Sequence, residues 1–92
     1  MKCETHVMKR DGHLETFDLK KIYQAAYEAC LNVHLSLLAS KKIAQHVVKD
    51  IKELVKNKPK IKSDVLFAEV ARALYKHNEH VAFMYETHRD IS

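Results

Sequence analysis

Hydrophobic and polar positions follow one rhythm before Asp18 and another after it. Between residues 5 and 17, apolar side chains at Val7, Leu14 and Phe17 flank Asp11-Gly12. Nothing there sustains a period of about 3.6 residues, so the stretch predicts a β-hairpin. From Leu19 onward apolar residues recur at Ile22, Tyr23, Ala26, Ala29, Cys30 and Val33, the spacing of one helix face. Asp18 is placed to cap that helix, over about 18–33. A second stripe, Ile43, Ala44, Val47, Val48, Ile51, Leu54 and Val55, predicts a helix from Ser40 to about 56. Lys56-Asn57-Lys58-Pro59-Lys60 interrupts it, because proline cannot continue a helix and the lysines through Lys62 suit a solvated loop. A third helix is expected over about 63–76, with Ser63 as N-cap and Leu66, Phe67, Val70, Ala71 and Leu74 inward. A fourth is expected over about 79–91, with Val81, Met84, Tyr85 and His88 on one side. The fold class that results is mainly α: a short antiparallel hairpin laid on a bundle of about four helices.

The only glycine of the chain, Gly12, falls where a tight turn needs positive φ. A loop of Arg10-Asp11-Gly12 closed by a left-handed Gly12 would pair Lys9 with His13, Val7 with Glu15 and Thr5 with Phe17. Val7, Lys9, Glu15 and Phe17 then share one face. A two-residue loop would instead group Val7 and Lys9 with Leu14 and Thr16. The longer loop is the expectation adopted, because it builds a surface suited to a nucleotide. Val7, Phe17 and Ile22 supply an apolar slot for a base. Glu15 and Asp18 can accept hydrogen bonds from an exocyclic amine, and Lys9, Arg10 and Lys21 can meet phosphates. A glycine-rich phosphate loop is excluded with one glycine in the chain, so the positive charge must come from side chains.

Size and charge narrow the classes. Ninety-two residues, 47% hydrophobic, can bury one modest core, so one domain over 1–92 is expected and a full enzyme is not. The formal net charge of +4 suits an anionic partner but is too mild to name one. No apolar run approaches the roughly 20 residues of a membrane span, and no signal-peptide layout opens the chain; a cytoplasmic protein without membrane association is the expectation. Cys3 and Cys30 suit reduced thiols rather than a disulfide framework. His77, His80 and His88 could gather near one helix end, but three convergent ligands with support are needed for a metal site. No serine or cysteine lies in a nucleophile motif, so no catalytic residue is assigned.

Val7-Met8-Lys9-Arg10-Asp11-Gly12, then Phe17-Asp18 and Lys21-Ile22, resemble the opening signature of the ATP-cone domain. Ile61-Lys62-Ser63 leading into Leu66 and Val70 looks like that family's third helix, and Val81-Ala82-Phe83-Met84-Tyr85 with Arg89 like its closing one. The resemblance covers roughly residues 5 to 90. It implies a nucleotide sensor of the kind found at the N-terminus of ribonucleotide reductases and in the repressor of their genes. It further implies ATP or dATP as effector, with magnesium arriving on the nucleotide, and coupling of occupancy to self-association or to a partner enzyme or repressor domain. Carried over position by position, the contacts fall on Val7, Lys9, Arg10, Glu15, Phe17, Asp18, Lys21, Ile22 and Ser63, the last as a hydroxyl near the phosphates. Phe67, one turn on, stands where some relatives carry a polar side chain; Lys62 or Lys60 are the alternatives for that contact.

Taken singly, the same residues have plainer readings: Val7, Phe17 and Ile22 as core, Asp18 as a cap, Lys20 and Lys21 as a solvated face. A competing function is a basic module that contacts a protein or nucleic acid through its lysine-rich loop, with the hairpin purely structural. It predicts salt-sensitive polynucleotide binding that ignores the base, whereas a sensor predicts stabilisation by adenine nucleotide. Nucleic acid is not the expected partner of the domain by itself.

Overall fold

The computed structural model describes residues 5–9 and 11–87. The chain folds as β1 (His6–Met8), β2 (Leu14–Thr16), α1 (Leu19–Asn32), α2 (Leu37–Val55), β3 (Lys60–Lys62), α3 (Ser63–His77) and α4 (Glu79–Thr87). The mainly helical class is as expected, and the hairpin has the register of the longer loop: Val7 opposes Glu15 and Met8 opposes Leu14. Lys9 N–H donates to the His13 carbonyl at 2.9 Å, and Gly12 N–H donates to the Lys9 carbonyl at 3.0 Å. Gly12 has φ +91°, and a Cβ there would meet nothing within 4 Å. The glycine is therefore required by backbone conformation and not by space.

Four features differ from the expectation. The lysine-rich segment is not all loop, because Lys60-Ile61-Lys62 forms β3, parallel to β1, with Ile61 opposite Val7 and buried. The hairpin is thus part of a three-stranded sheet in the order β2-β1-β3. Three residues are too short to declare a period, and Pro59 argues against a strand only where its N–H is needed. Here Pro59 contributes its carbonyl, which accepts from His6 N–H at 2.9 Å. Second, Ser63 is not the N-cap of α3. Lys62, still in the ladder with Met8, holds that position in extended conformation, and its side chain makes no capping bond. Third, α2 begins before Ser40: Ser36 caps it, accepting from Ala39 N–H at 3.1 Å. Leu37 and Leu38 in its first turn are exposed, so the buried stripe starts later than the helix does. Fourth, α1 ends a residue early, at Asn32, in a Schellman arrangement. Leu35 N–H bonds the Cys30 carbonyl and His34 N–H the Leu31 carbonyl, with His34 at φ 66°.

One apolar cluster runs through β1, α1, α2, β3, α3 and α4, from Val7 and Ile22 through Ala26, Val47, Ile51, Val70 and Leu74 to Val81. α1 lies against α2 and α4, α2 against α3, and α3 against α4 and the sheet. The sheet is anchored to the bundle by Thr5. Its side chain is 2% exposed, and its Oγ1 donates to the carbonyls of Lys58 (2.7 Å) and Val55 (3.2 Å). Replacing Thr5 by valine keeps the volume and removes the donor, and is expected to cost about 1–3 kcal/mol. A fall in the urea midpoint without a change of slope would register it.

Candidate nucleotide site

The hairpin register turns Val7, Lys9, Glu15 and Phe17 toward the helices, and the start of α1 brings Asp18, Lys21 and Ile22 to the same place. Together with Ser63, Leu66, Phe67, Val70 and Tyr85 they line a cleft of about 170 Å³. Eight of the nine residues expected from the sequence are therefore gathered in one cavity; Arg10 lies outside the described residues.

The cleft is apolar at its floor. Val7 and Ile22 are buried, Val70 is fully buried, and Phe17 is half-buried. Phe67 and Tyr85 stack on one another with ring centroids 4.7 Å apart, closing one end with aromatic surface. A flat heterocycle gains there from dispersion and exclusion of water. The polar groups stand at the rim. Asp18 caps α1, with Oδ1 accepting from Lys20 N–H at 2.9 Å, so its plainer role is real; it also lines the cleft. Lys9 Nζ lies 3.5 Å from Glu15 Oε1, both side chains 42% exposed. His13 Nε2 lies 3.1 Å from Glu15 Oε2. Glu15 is held below the usual carboxylate range, first by its hydrogen bond with His13 and then by Lys9. It is thus an acceptor across the neutral range.

A second, more polar cleft of about 320 Å³ adjoins the first and shares Lys9 and Ser63 with it. Met8, Gly12, Lys62 and Asp64 complete its lining. The uncapped N-terminus of α3 opens on it, and such an end attracts anions through its backbone N–H groups and dipole. Asp64 opposes an anion there; Lys9 and Lys62 outnumber it. Of the two alternative contacts, Lys62 lines this cleft and Lys60 does not.

Leu66, Phe67, Val70 and Tyr85 are the lining residues that sequence reasoning missed as site residues, assigning them to core. The signal was available for three of them. If Ser63 faces the site, positions three, four and seven residues further along α3 face it too, and these are Leu66, Phe67 and Val70. Phe67 extends the apolar wall.

Other sites are poorer. A groove of about 320 Å³ between α2 and α3 mixes Asp50, Glu53 and Glu69 with Arg72 and Lys76 and has no aromatic wall. The His77 ring lies 5.1 Å from that of His46 on α2, and His88 is outside the described residues. Among the described residues no group of three or more His, Cys, Asp or Glu could hold a metal ion. Cys30 is buried, and burial pushes its thiol pKa up, as fits a core residue. No helix among the described residues is long and apolar enough to cross a membrane.

The cleft thus has an apolar floor, carboxylates and lysines at its rim and an uncapped helix N-terminus beside it. The sequence matches the ATP cone domain over residues 5–91, nearly its whole length, and the chain belongs to that family. ATP cones are regulatory domains that bind nucleotide effectors and are not themselves catalytic. Among curated proteins no sequence match to the chain was found.

Proposed function

We propose that this domain binds ATP or dATP with the base in the apolar cleft and the phosphates running into the adjoining polar one, and that occupancy alters self-association or the activity of a partner domain. The observation that carries the reading is the convergence of Val7, Phe17 and Ile22 with Lys9, Lys21, Glu15 and Asp18 on one cavity that continues past Lys9 and Ser63 toward the α3 N-terminus. At about 170 Å³ the first cleft is smaller than the roughly 300 Å³ at which drug-sized pockets begin. It suits one ring system, with the ribose and phosphates outside it. Glu15 and Asp18 accept from the exocyclic amine of adenine, which guanine does not present at the same place. Lys9, Arg10 and Lys21 meet the phosphates, with the Ser63 hydroxyl beside them, and magnesium arrives with the nucleotide.

A module without catalytic groups regulates only if nucleotide favours one conformational or oligomeric state over another. The hairpin is the element suited to respond: its strands have three residues each, and a nucleotide bridging it to α1 and α3 adds contacts such short strands lack. The partner is a second copy or a domain of the ribonucleotide reductase or repressor kind. Calorimetry is expected to give a dissociation constant on the order of micromolar for ATP or dATP, with GTP and inorganic triphosphate far weaker. Sedimentation of free, ATP-bound and dATP-bound protein should show a change of mass distribution in at least one bound form. No heat with either adenine nucleotide at millimolar concentration would sink the reading.

A further inference from the structure

We propose that His13, at the tip of the hairpin, is a positioning residue for the nucleotide site: by clamping Asp11 and Glu15 it frees Lys9 for phosphate, and so makes nucleotide affinity depend on pH near neutrality. This rests on the nucleotide reading of the cleft and adds to it a residue that does not line the cavity.

The geometry is a relay of four charged groups. His13 Nδ1 lies 2.8 and 3.0 Å from the two carboxylate oxygens of Asp11, and Nε2 lies 3.1 Å from Glu15 Oε2. The backbone N–H of His13 also donates to Asp11 Oδ1, at 3.1 Å. A neutral imidazole carries one N–H and can satisfy only one of the two carboxylates; the imidazolium carries two and satisfies both. The other oxygen of Glu15, Oε1, faces Lys9 Nζ at 3.5 Å. Glu15 is therefore shared between His13 and Lys9, and whatever His13 takes from it Lys9 loses.

Among the described residues, the charges around the tip are Lys9 just after β1, Asp11 in the turn, Glu15 on β2, and Lys62 and Asp64 across the polar cleft. With His13 protonated, the four groups of the relay sum to zero. With His13 neutral, they carry one net negative charge around Lys9, the proposed phosphate contact, and Glu15 is left with Lys9 as its counter-ion. Both changes oppose a polyphosphate. Asp11 first, then Glu15, hold the His13 pKa above the ordinary histidine value, and Asp11 is lowered, first by the His13 backbone N–H and then by the imidazole. The sign follows: the clamp is complete below the ordinary imidazole pKa of about 6.5 and is lost as pH rises through the raised value. Adenine nucleotide should thus bind more weakly as pH rises across that window. Because His13 is more than half exposed, solvent and salt screen the effect, and a change of about threefold is expected.

The test follows ATP affinity by calorimetry from about pH 6 to pH 8.5 in the wild type, His13→Gln and His13→Arg, alongside the imidazole titration of His13 by NMR in wild type and in the double variant Asp11→Asn, Glu15→Gln. The titration of ATP itself is common to all and cancels between proteins. The wild type is expected to lose about threefold more affinity than His13→Gln as pH rises, and His13→Arg to keep its affinity at the alkaline end. The His13 titration should lie above the ordinary value in the wild type and return toward it in the double variant. Parallel pH profiles for wild type and His13→Gln would overturn the coupling, and an ordinary His13 titration alongside intact ATP binding would overturn the clamp alone. Absence of ATP binding in every protein at every pH would overturn the nucleotide reading and the coupling with it.

Discussion

At a hundredfold excess of ATP over its dissociation constant, the domain is expected to gain about 2.7 kcal/mol of stability. For a domain of this size that corresponds to a rise of about 10 to 20 °C in melting temperature. The gain follows from linkage alone, because the cavity exists only when β1, α1, α3 and α4 are assembled and the unfolded chain has nothing equivalent to offer. A differential scanning experiment with ATP, dATP, GTP and inorganic triphosphate separates the causes. Adenine nucleotides should shift the transition, whereas triphosphate, which can use the lysines and the α3 N-terminus but not the apolar cleft, should shift it little. Equal shifts with ATP and triphosphate would mean that the apolar cleft is core surface rather than a base slot. A shift with polynucleotide that ignores the base and vanishes with salt would favour the basic interaction module.

The second large effect concerns the hairpin lysine. Lys9→Ala is expected to weaken nucleotide binding by about 10- to 100-fold, the loss of one hydrogen bond to a charged group worth about 1.5–3 kcal/mol. Fold stability should change by less than about 1 kcal/mol, since the ion pair removed, to Glu15, is an exposed one. Lys21→Ala should act in the same direction. Lys56→Ala, at the solvated end of α2 and outside both clefts, should leave binding unchanged. Calorimetry on the three variants, with urea unfolding to verify the fold, decides the matter: a larger loss from Lys56 than from Lys9 would place the site elsewhere.

Much of this arrangement is legible in the sequence because local chemistry and long-range packing agree. Gly12 accepts the positive φ, and with that the loop length fixes which residues of the hairpin share a face; Asp18 caps α1 and fixes where the first helix turns Lys21 and Ile22. Each of these follows from neighbours within a few positions. What was not legible depends on partners far away in the chain. β3 is a strand because β1 is there to pair with it, and no property of Lys60-Ile61-Lys62 alone distinguishes it from loop. Ser63 reads as a cap by residue type, yet the strand pairing of Lys62 runs straight into the helix and leaves Ser63 helical, with its hydroxyl at the junction of the two clefts. The aromatic wall is similar. Phe67 and Tyr85 each read as ordinary core on separate helices, and only their stacking across α3 and α4 makes them one surface.

The central strand of the sheet joins parts of the chain that are made at different times. β1 and the residues for the base slot emerge from the ribosome early, while β3, which completes the sheet, follows only after α1 and α2, and the Phe67–Tyr85 wall comes later still. A nascent chain that ends with α2 can form the hairpin turn but holds only one side of the cleft, because Ser63, Leu66, Phe67, Val70 and Tyr85 are still to come. Nucleotide therefore has nothing to select among partial chains, and cannot hold an unfinished domain in a ligand-bound state. On the proposed reading binding requires residues of α3 and α4, so a fragment that stops after α2 is expected to gain no protease resistance from ATP.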